Sequence, residues 1–195
     1  KRGFRESDGL FLAEGPQACR EAAKANKVKE LYLTQDAFDR YSEIVTAVDA
    51  SGAEIIICTE AVIAEFSSTV SPQGMTAVVR MWDQDPSGLF KSGNKLVVAL
   101  TAVRDPGNAG SVIRVADAAG AHGVVMSSDS VDLFNPKVVR ASVGSIFHLP
   151  IAVGQELDRT IVAAREAGMQ VLAADANGVS LYGGVDLVKP TLWVF

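Results

Sequence analysis

Two residues in the stretch DPGNAGSVIRVADAAG have the types and spacing to hold a phosphate, Gly110 and Arg114, with Asn108 at the start of the same helix. Gly110 and Arg114 stand at i and i+4, so on a helix they share one face. A helical side chain leans toward the N-terminus, which carries Arg114 back over the turn containing Gly110. Glycine has no Cβ, leaving that surface open to close approach by the guanidinium or a ligand. A planar fork of donors beside a helix N-terminus suits phosphate oxygens. Asn108 reads as the cap of this helix. Taken alone, the pattern also fits a surface arginine on an ordinary helix.

Such a helix needs a platform, and the residues before it supply one. Leu96 to Val103 is a continuous apolar run, bounded by Asn94 and by Arg104-Asp105-Pro106-Gly107. With no polar face, it reads as a buried strand of a parallel sheet. Strand, Pro-Gly turn and a helix closing at Gly120 place the loop at the carboxyl end of the strand. That edge is where open α/β sheets bind ligands. Further strands are expected at Ala121 to Ser127, Pro150 to Val153, Met169 to Ala174 and Thr191 to Phe195, with a helix over Gln155 to Ala167. Asn135 to Leu149 reads as a helix that loosens at Ser142-Val143-Gly144-Ser145. Small residues at Ala173-Ala174 leave room for an adenosine at the same edge, though such residues are common at strand ends.

Upstream, residues 1–81 read as a smaller α/β unit. Strands are expected at Leu10 to Ala13, Val28 to Leu33, Ala53 to Cys58 and Met75 to Met81. Helices fall between them: one from Pro16 to about Asn26, one from Asp36 to Ala50, and a short one from Ala61 to Phe66. Residues 82–94, rich in Asp, Gln, Pro, Ser, Gly and Lys, read as a linker to the second domain, 95–195.

Composition limits the functions available. The chain has 195 residues, 48% of them apolar and 21% charged, a globular balance. No apolar run has the length of a membrane span, and residues 1–30 lack a signal-peptide pattern, so a cytoplasmic location is expected. Cys19 and Cys58 are far apart and read as reduced core cysteines. His122 and His148 are isolated, and no metal site is expected. A net charge of −5 argues against indiscriminate nucleic-acid binding and requires any RNA-binding cations to be concentrated. Candidates are Lys1, Arg2 and Arg5 at the front, with Arg114 and Arg140 behind.

Together, three stretches resemble one family. DPGNAGSVIRVADAAGAHGVV is similar to the first signature of the SpoU-type RNA 2′-O-ribose methyltransferases of the SPOUT superfamily, through Asn108, Gly110 and Arg114. NPKVVRASVGSIFHLPI resembles their second, through Arg140, Ser142, Gly144 and the His-Leu-Pro-Ile ending at Ile151. FRESDGLFLAEGPQACREA and Pro72-Gln73-Gly74 resemble the start and end of their substrate-binding domain. The resemblance implies a small substrate-binding domain followed by a parallel-sheet catalytic domain, knotted as a trefoil in the full chain. It also implies S-adenosylmethionine as methyl donor and a homodimer. Ribosomal RNA of the large subunit is the favoured substrate over transfer RNA, by analogy.

The resemblance implies roles for particular residues. Arg114 and Asn108 would be catalytic, and Arg140, Ser142 and Gly144 would meet RNA; the charge argument adds Arg5 to the RNA candidates, and the strand ends add Ala173, Ala174 and Phe195 as a border for the cofactor. The family's third signature, which supplies most cofactor contacts, would follow Phe195, and the strand ending at Phe195 is expected to continue into it. Arg114 is either general base or a group that positions phosphate and charge, and a free guanidinium with a pKa above about 12 is a poor base. Two rivals stand beside this reading. A dinucleotide-dependent oxidoreductase would need G-x-G-x-x-G, whereas Gly107 and Gly110 are followed by Val112 and Ile113. A non-catalytic RNA-binding relative is the other.

Overall fold

The computed structural model describes residues 2–67, 69, 71–82, 85–91 and 93–195. Lys1 and the side chain of Arg2, two of the expected front cations, lie outside the described residues. The chain divides into two compact units, each discontinuous in sequence. One comprises Lys1–Trp82 with Asp132–His148, the other Asp83–Val131 with Leu149–Phe195.

The first unit holds helix α1 (Arg2–Asp8), strand β1 (Leu10–Glu14), α2 (Pro16–Lys24), β2 (Val28–Leu33), α3 (Gln35–Arg40), α4 (Ser42–Ala50), β3 (Glu54–Ile57), α5 (Glu60–Phe66) and β4 (Met75–Arg80). Its sheet runs β1-β4-β2-β3. β4 is antiparallel to both neighbours, and β2 and β3 are parallel. Phe11, Leu31, Leu33, Met75, Ala77 and Val79 on the strands are buried, as are Ala18, Cys19, Ala22, Ile44, Val48 and Ile63 on the helices. α2 starts with proline at its first turn, as expected, and presents Ala18, Cys19, Ala22 and Ala23 inward. One charged residue, Glu21, is buried with them. The helix expected over Asp36 to Ala50 is two helices, broken where Tyr41 takes φ −116° and ψ 45°. α1 has no counterpart among the expected elements.

The second unit holds β5 (Leu96–Leu100), α6 (Pro106–Ala118), β6 (Gly123–Ser127), β7 (Ile151–Gln155), α8 (Leu157–Glu166), β8 (Gln170–Ala173) and β9 (Thr191–Val194). Its sheet runs β7-β6-β5-β9-β8, every pair parallel. β5 is central, and β9 lies between β5 and β8, as a strand apolar on both faces requires. β8 is not the buried strand expected: it is the sheet edge, with Val171 and Leu172 half-buried and Ala173 exposed. The stretch read as a linker contributes to this core. Leu89 is buried with Val97, Ala99, Val125, Ala164, Met169 and Leu192. Gly123 makes the space, since a Cβ there would stand 2.2 Å from Leu89 Cδ2.

The connection from β6 to β7 leaves this unit. Its central part, Asp132–His148, folds with the first unit and contains α7 (Pro136–Ala141) and a 3₁₀ turn at Ser145–Phe147. The loosening expected at Ser142 to Ser145 is present, with Val143 and Gly144 at φ 51° and 95°.

Candidate active site

At the carboxyl end of β5 the chain turns sharply and is pinned from three sides. Thr101 N–H donates to the Phe195 carbonyl at 2.8 Å. Ala102, in the left-handed region at φ 50°, donates its N–H to Ser127 Oγ at 2.9 Å. Val131 N–H reaches the Val103 carbonyl at 2.8 Å. Ser127 also donates to Asp129 Oδ1 at 2.6 Å, and this bond holds the Asp129 carboxyl below its ordinary range. A non-glycine residue in left-handed backbone needs such external support.

The pinned loop delivers the chain to α6. Asp105, not Asn108, is the N-cap: its Oδ1 accepts the Asn108 N–H at 2.8 Å, and Pro106 opens the helix. The expected cap fails because Pro106 already fixes helical φ, which makes the residue before it the boundary. Asn108 therefore sits in the first turn with its side chain exposed. Ala109, Gly110, Ile113 and Ala116 face inward, which leaves Arg114 on the exposed side. Among the described residues its guanidinium has no hydrogen bond or ion pair. Five donors without a partner, on a helix that starts at the carboxyl edge of a parallel sheet, form a ready anion site.

The residues expected to border a cofactor meet at the same edge of the sheet. Phe195 N–H donates to the Ala99 carbonyl, and Ala174 N–H to the Val194 carbonyl, both at 2.9 Å. A cavity of about 490 Å³ opens there, its lining including Ala173, Ala174, Asp175, Val179, Leu181 and Trp193; Phe195 is not among the lining residues. Its apolar walls and alanine floor suit a flat ring such as adenine.

The remaining candidates belong to the first unit, and each is held there. Arg5 pairs with Asp132, both side chains 17% exposed. Arg140 stands 3.6 Å from Glu14, whose side chain is nearly buried. Ser142 is fully buried, and its hydroxyl donates to the Val139 carbonyl at 2.7 Å, which closes the end of α7. Gly144 packs on α2, where an added Cβ would lie 2.6 Å from Glu21 Cγ. In this structure Ser142 and Gly144 shape the turn, and Arg5 is an internal tie. Cys19 is inert, its thiol pushed up by burial to about 12. Among the described residues no group of three or more His, Cys, Asp or Glu could hold a metal ion. None of the described helices is long and apolar enough to cross a membrane.

The SpoU rRNA methylase family matches residues 95–195, and an MRM3-like substrate binding domain matches residues 1–77. The chain belongs to the SpoU rRNA methylase family. Among its curated relatives, the Bacillus subtilis 23S rRNA (guanosine(2553)-2′-O)-methyltransferase RlmP is 32% identical over 92% of the chain. Human mitochondrial rRNA methyltransferase 3 is 29% identical over 94% of it. The chain spans 64% of the length of the first and 46% of the second. Of solved structures, the AdoMet-bound rRNA methyltransferase from Sinorhizobium meliloti superposes over the whole chain with TM-score 0.83 and 31% identity, and is covered over 73% of its length. AviRb from Streptomyces viridochromogenes, also with AdoMet, gives TM-score 0.83 at 28% identity, with the whole chain and 75% of that protein covered. Membership in this family removes the oxidoreductase reading.

Within this SpoU-family chain, sequence reasoning missed Asp105, Ser127 and Glu21. Asp105 was legible, since Asp before Pro is a cap signature. Ser127 and Glu21 were not, because their partners lie 25 and 127 residues away.

Proposed function

We propose that this chain is the substrate-binding and methyltransferase region of an S-adenosylmethionine-dependent enzyme that methylates a ribose 2′-hydroxyl of ribosomal RNA. Residues 1–81 serve as RNA-binding domain, 82–94 as connection and 95–195 as methyltransferase domain; the full protein is a cytoplasmic homodimer with a trefoil-knotted catalytic domain. The observation that carries the reading is Arg114, exposed and without a partner among the described residues, on the helix that leaves the carboxyl edge of the sheet.

Arg114 holds the phosphate beside the target ribose and so sets the angle at which the hydroxyl approaches. It does not remove the proton, because a guanidinium stays charged at neutral pH. The phosphate it holds accepts that proton or passes it to water. Asn108, in the first turn of α6, supports the loop end beside it. S-adenosylmethionine supplies an electrophilic methyl that carries its own leaving group. Ala173 and Ala174 keep the strand end open for the adenosine, with Phe195 at its border. Positioning therefore supplies most of the rate. Arg140 provides a second RNA contact, Ser142 and Gly144 hold the turn beside it, and Arg5 reaches phosphate only when it leaves Asp132.

The test is methyl transfer from tritiated S-adenosylmethionine to ribosomal RNA by the full-length protein, followed by alkaline hydrolysis. Label in an alkali-resistant dinucleotide is expected, since a 2′-O-methyl group blocks cleavage. RNA binding with no label would leave a non-catalytic relative. Label confined to a base would overturn the ribose assignment.

A further inference from the structure

Among the described residues, polar contacts that tie Asp132–His148 to the rest of the first unit include the ion pairs Arg5 with Asp132 and Arg140 with Glu14, and a hydrogen bond between His148 and Glu21. An aromatic cluster adds to them, with the Phe11 ring tilted against Phe134 at 4.8 Å between centroids and Trp82 edge-on to Phe134 at 5.2 Å. The contact at Glu21 is the most specific. This carboxylate is 6% exposed on α2, where burial works against its charge and hydrogen bonds from His148 and Lys24 overcome that penalty. The distances are 3.1 Å to His148 Nε2, 3.1 Å to Lys24 Nζ and 3.2 Å to Gln17 Nε2. Its carbon stem meets Gly144 so closely that no Cβ fits. Lys24 and Gln17 lie on the same helix and could satisfy Glu21 in water. Only the turn at Gly144 and His148 accounts for its burial.

We infer that Glu21 is a positioning residue for methyl transfer. It fixes the turn Ser142 to His148, and through that turn the direction in which α7 presents Arg140. The substrate-binding domain thus sets the geometry of a catalytic-domain segment as well as recruiting RNA. A buried pair held for packing alone is replaceable as a whole by apolar groups at little cost. One that specifies a turn is not.

The inference rests on the proposed methyltransferase reading, and the experiment separates the two. In the full-length protein, Glu21→Ala and His148→Ala are compared with Glu21→Gln and His148→Gln, which keep a hydrogen bond across the contact. Either Ala variant should lower kcat roughly three- to thirtyfold, the range carried by packed coupling networks. S-adenosylmethionine binding by calorimetry should stay unchanged, the Gln variants should recover most of the loss, and the double Ala variant should be no worse than either single. Amide exchange of residues 141–148 should quicken in the Ala variants while that of β2 and β4 holds. Wild-type-like kcat in His148→Ala, or fully additive losses, would overturn the inference. If wild type transfers no methyl group, the function reading fails, and the exchange measurement still decides whether Glu21 orders the turn. Should Glu21→Ala unfold, the half-exposed His148 gives the same readouts.

Discussion

Helix α6 and the segment Asp132–His148 both carry residues that the sequence marks for RNA chemistry, and they hold them in opposite ways. On α6 the apolar positions face inward, the cap is satisfied by Asp105, and Arg114 is left exposed with no partner among the described residues. In the other segment, Arg140 faces Glu14, Ser142 is buried and Gly144 is pressed on Glu21. The difference separates two jobs that a sequence motif lists side by side. A guanidinium without a protein partner has unspent donors for a ligand, whereas a group already bonded shapes what surrounds it.

If that division holds, the largest effect belongs to Arg114. Arg114→Lys keeps the charge and loses the planar fork. Methyl transfer by the full-length protein should fall at least about a hundredfold, the scale of a misplaced reacting group. The urea midpoint should not move, because the side chain is exposed. Near-native turnover would remove Arg114 from the mechanism and dissolve the comparison.

Gly144 tests the opposite side. Alanine there must take φ 95° and place its Cβ 2.6 Å from Glu21 Cγ. The combined strain should cost about 1–3 kcal/mol. It is measured by urea unfolding, followed through Trp82 emission in a Trp193→Phe background. An unchanged midpoint would show that the turn moves freely, so that its glycine serves a ligand rather than α2.

These two residues also show what a single sequence can tell. The strand β5 and the turn at Ser142 to Ser145 were legible, because an apolar run and a cluster of small residues are local patterns. The candidate Arg114 was legible from its place on the helix after a buried strand, but the open surface expected over Gly110 was not found, because Gly110 is buried and Arg114 exposed. The edge position of β8 was not, since an apolar strand looks alike whether one neighbour or two flank it. Nor was the break at Tyr41, which carries neither Pro nor Gly to announce it. The ties from Arg5, Glu14 and Glu21 to residues more than a hundred positions later depend wholly on tertiary folding. For that reason Arg5 and Arg140 read as free cations in the sequence and as paired ones in the fold.

At the start of α6, Asp105 and Asn108 should part company. Asp105→Ala removes the cap acceptor and should cost about 1 kcal/mol. Asn108→Ala keeps its backbone N–H donor to Asp105 and should change stability by less than about 0.5 kcal/mol, while lowering methyl transfer. Equal losses of stability from both would restore Asn108 to a capping role and weaken its place in the site.

The smallest effect is the pH dependence of the Glu21 contact. Burial would raise this carboxyl, yet its bonds to His148 and Lys24 leave it below the ordinary value of 4.5. A group whose folded pKa is depressed stabilises the fold above its unfolded pKa, and that contribution fades as pH falls through the folded value. Glu30, through Lys29 and Tyr32, and Glu43, through Arg20, are depressed as well, so acid weakens the first unit at three places among the described residues and the wild-type curve alone cannot separate them. Glu21→Gln isolates one. It keeps the length and an acceptor for His148 but carries no charge, so the loss at neutral pH should be roughly 0.2–1 kcal/mol. In urea titrations the gap between the two proteins should be widest at neutral pH and should close well below pH 4.5. A gap that persists unchanged in acid would mean that size, not charge, holds Glu21 against Gly144. The charge of Glu21 toward His148 would then have no part in fixing the turn.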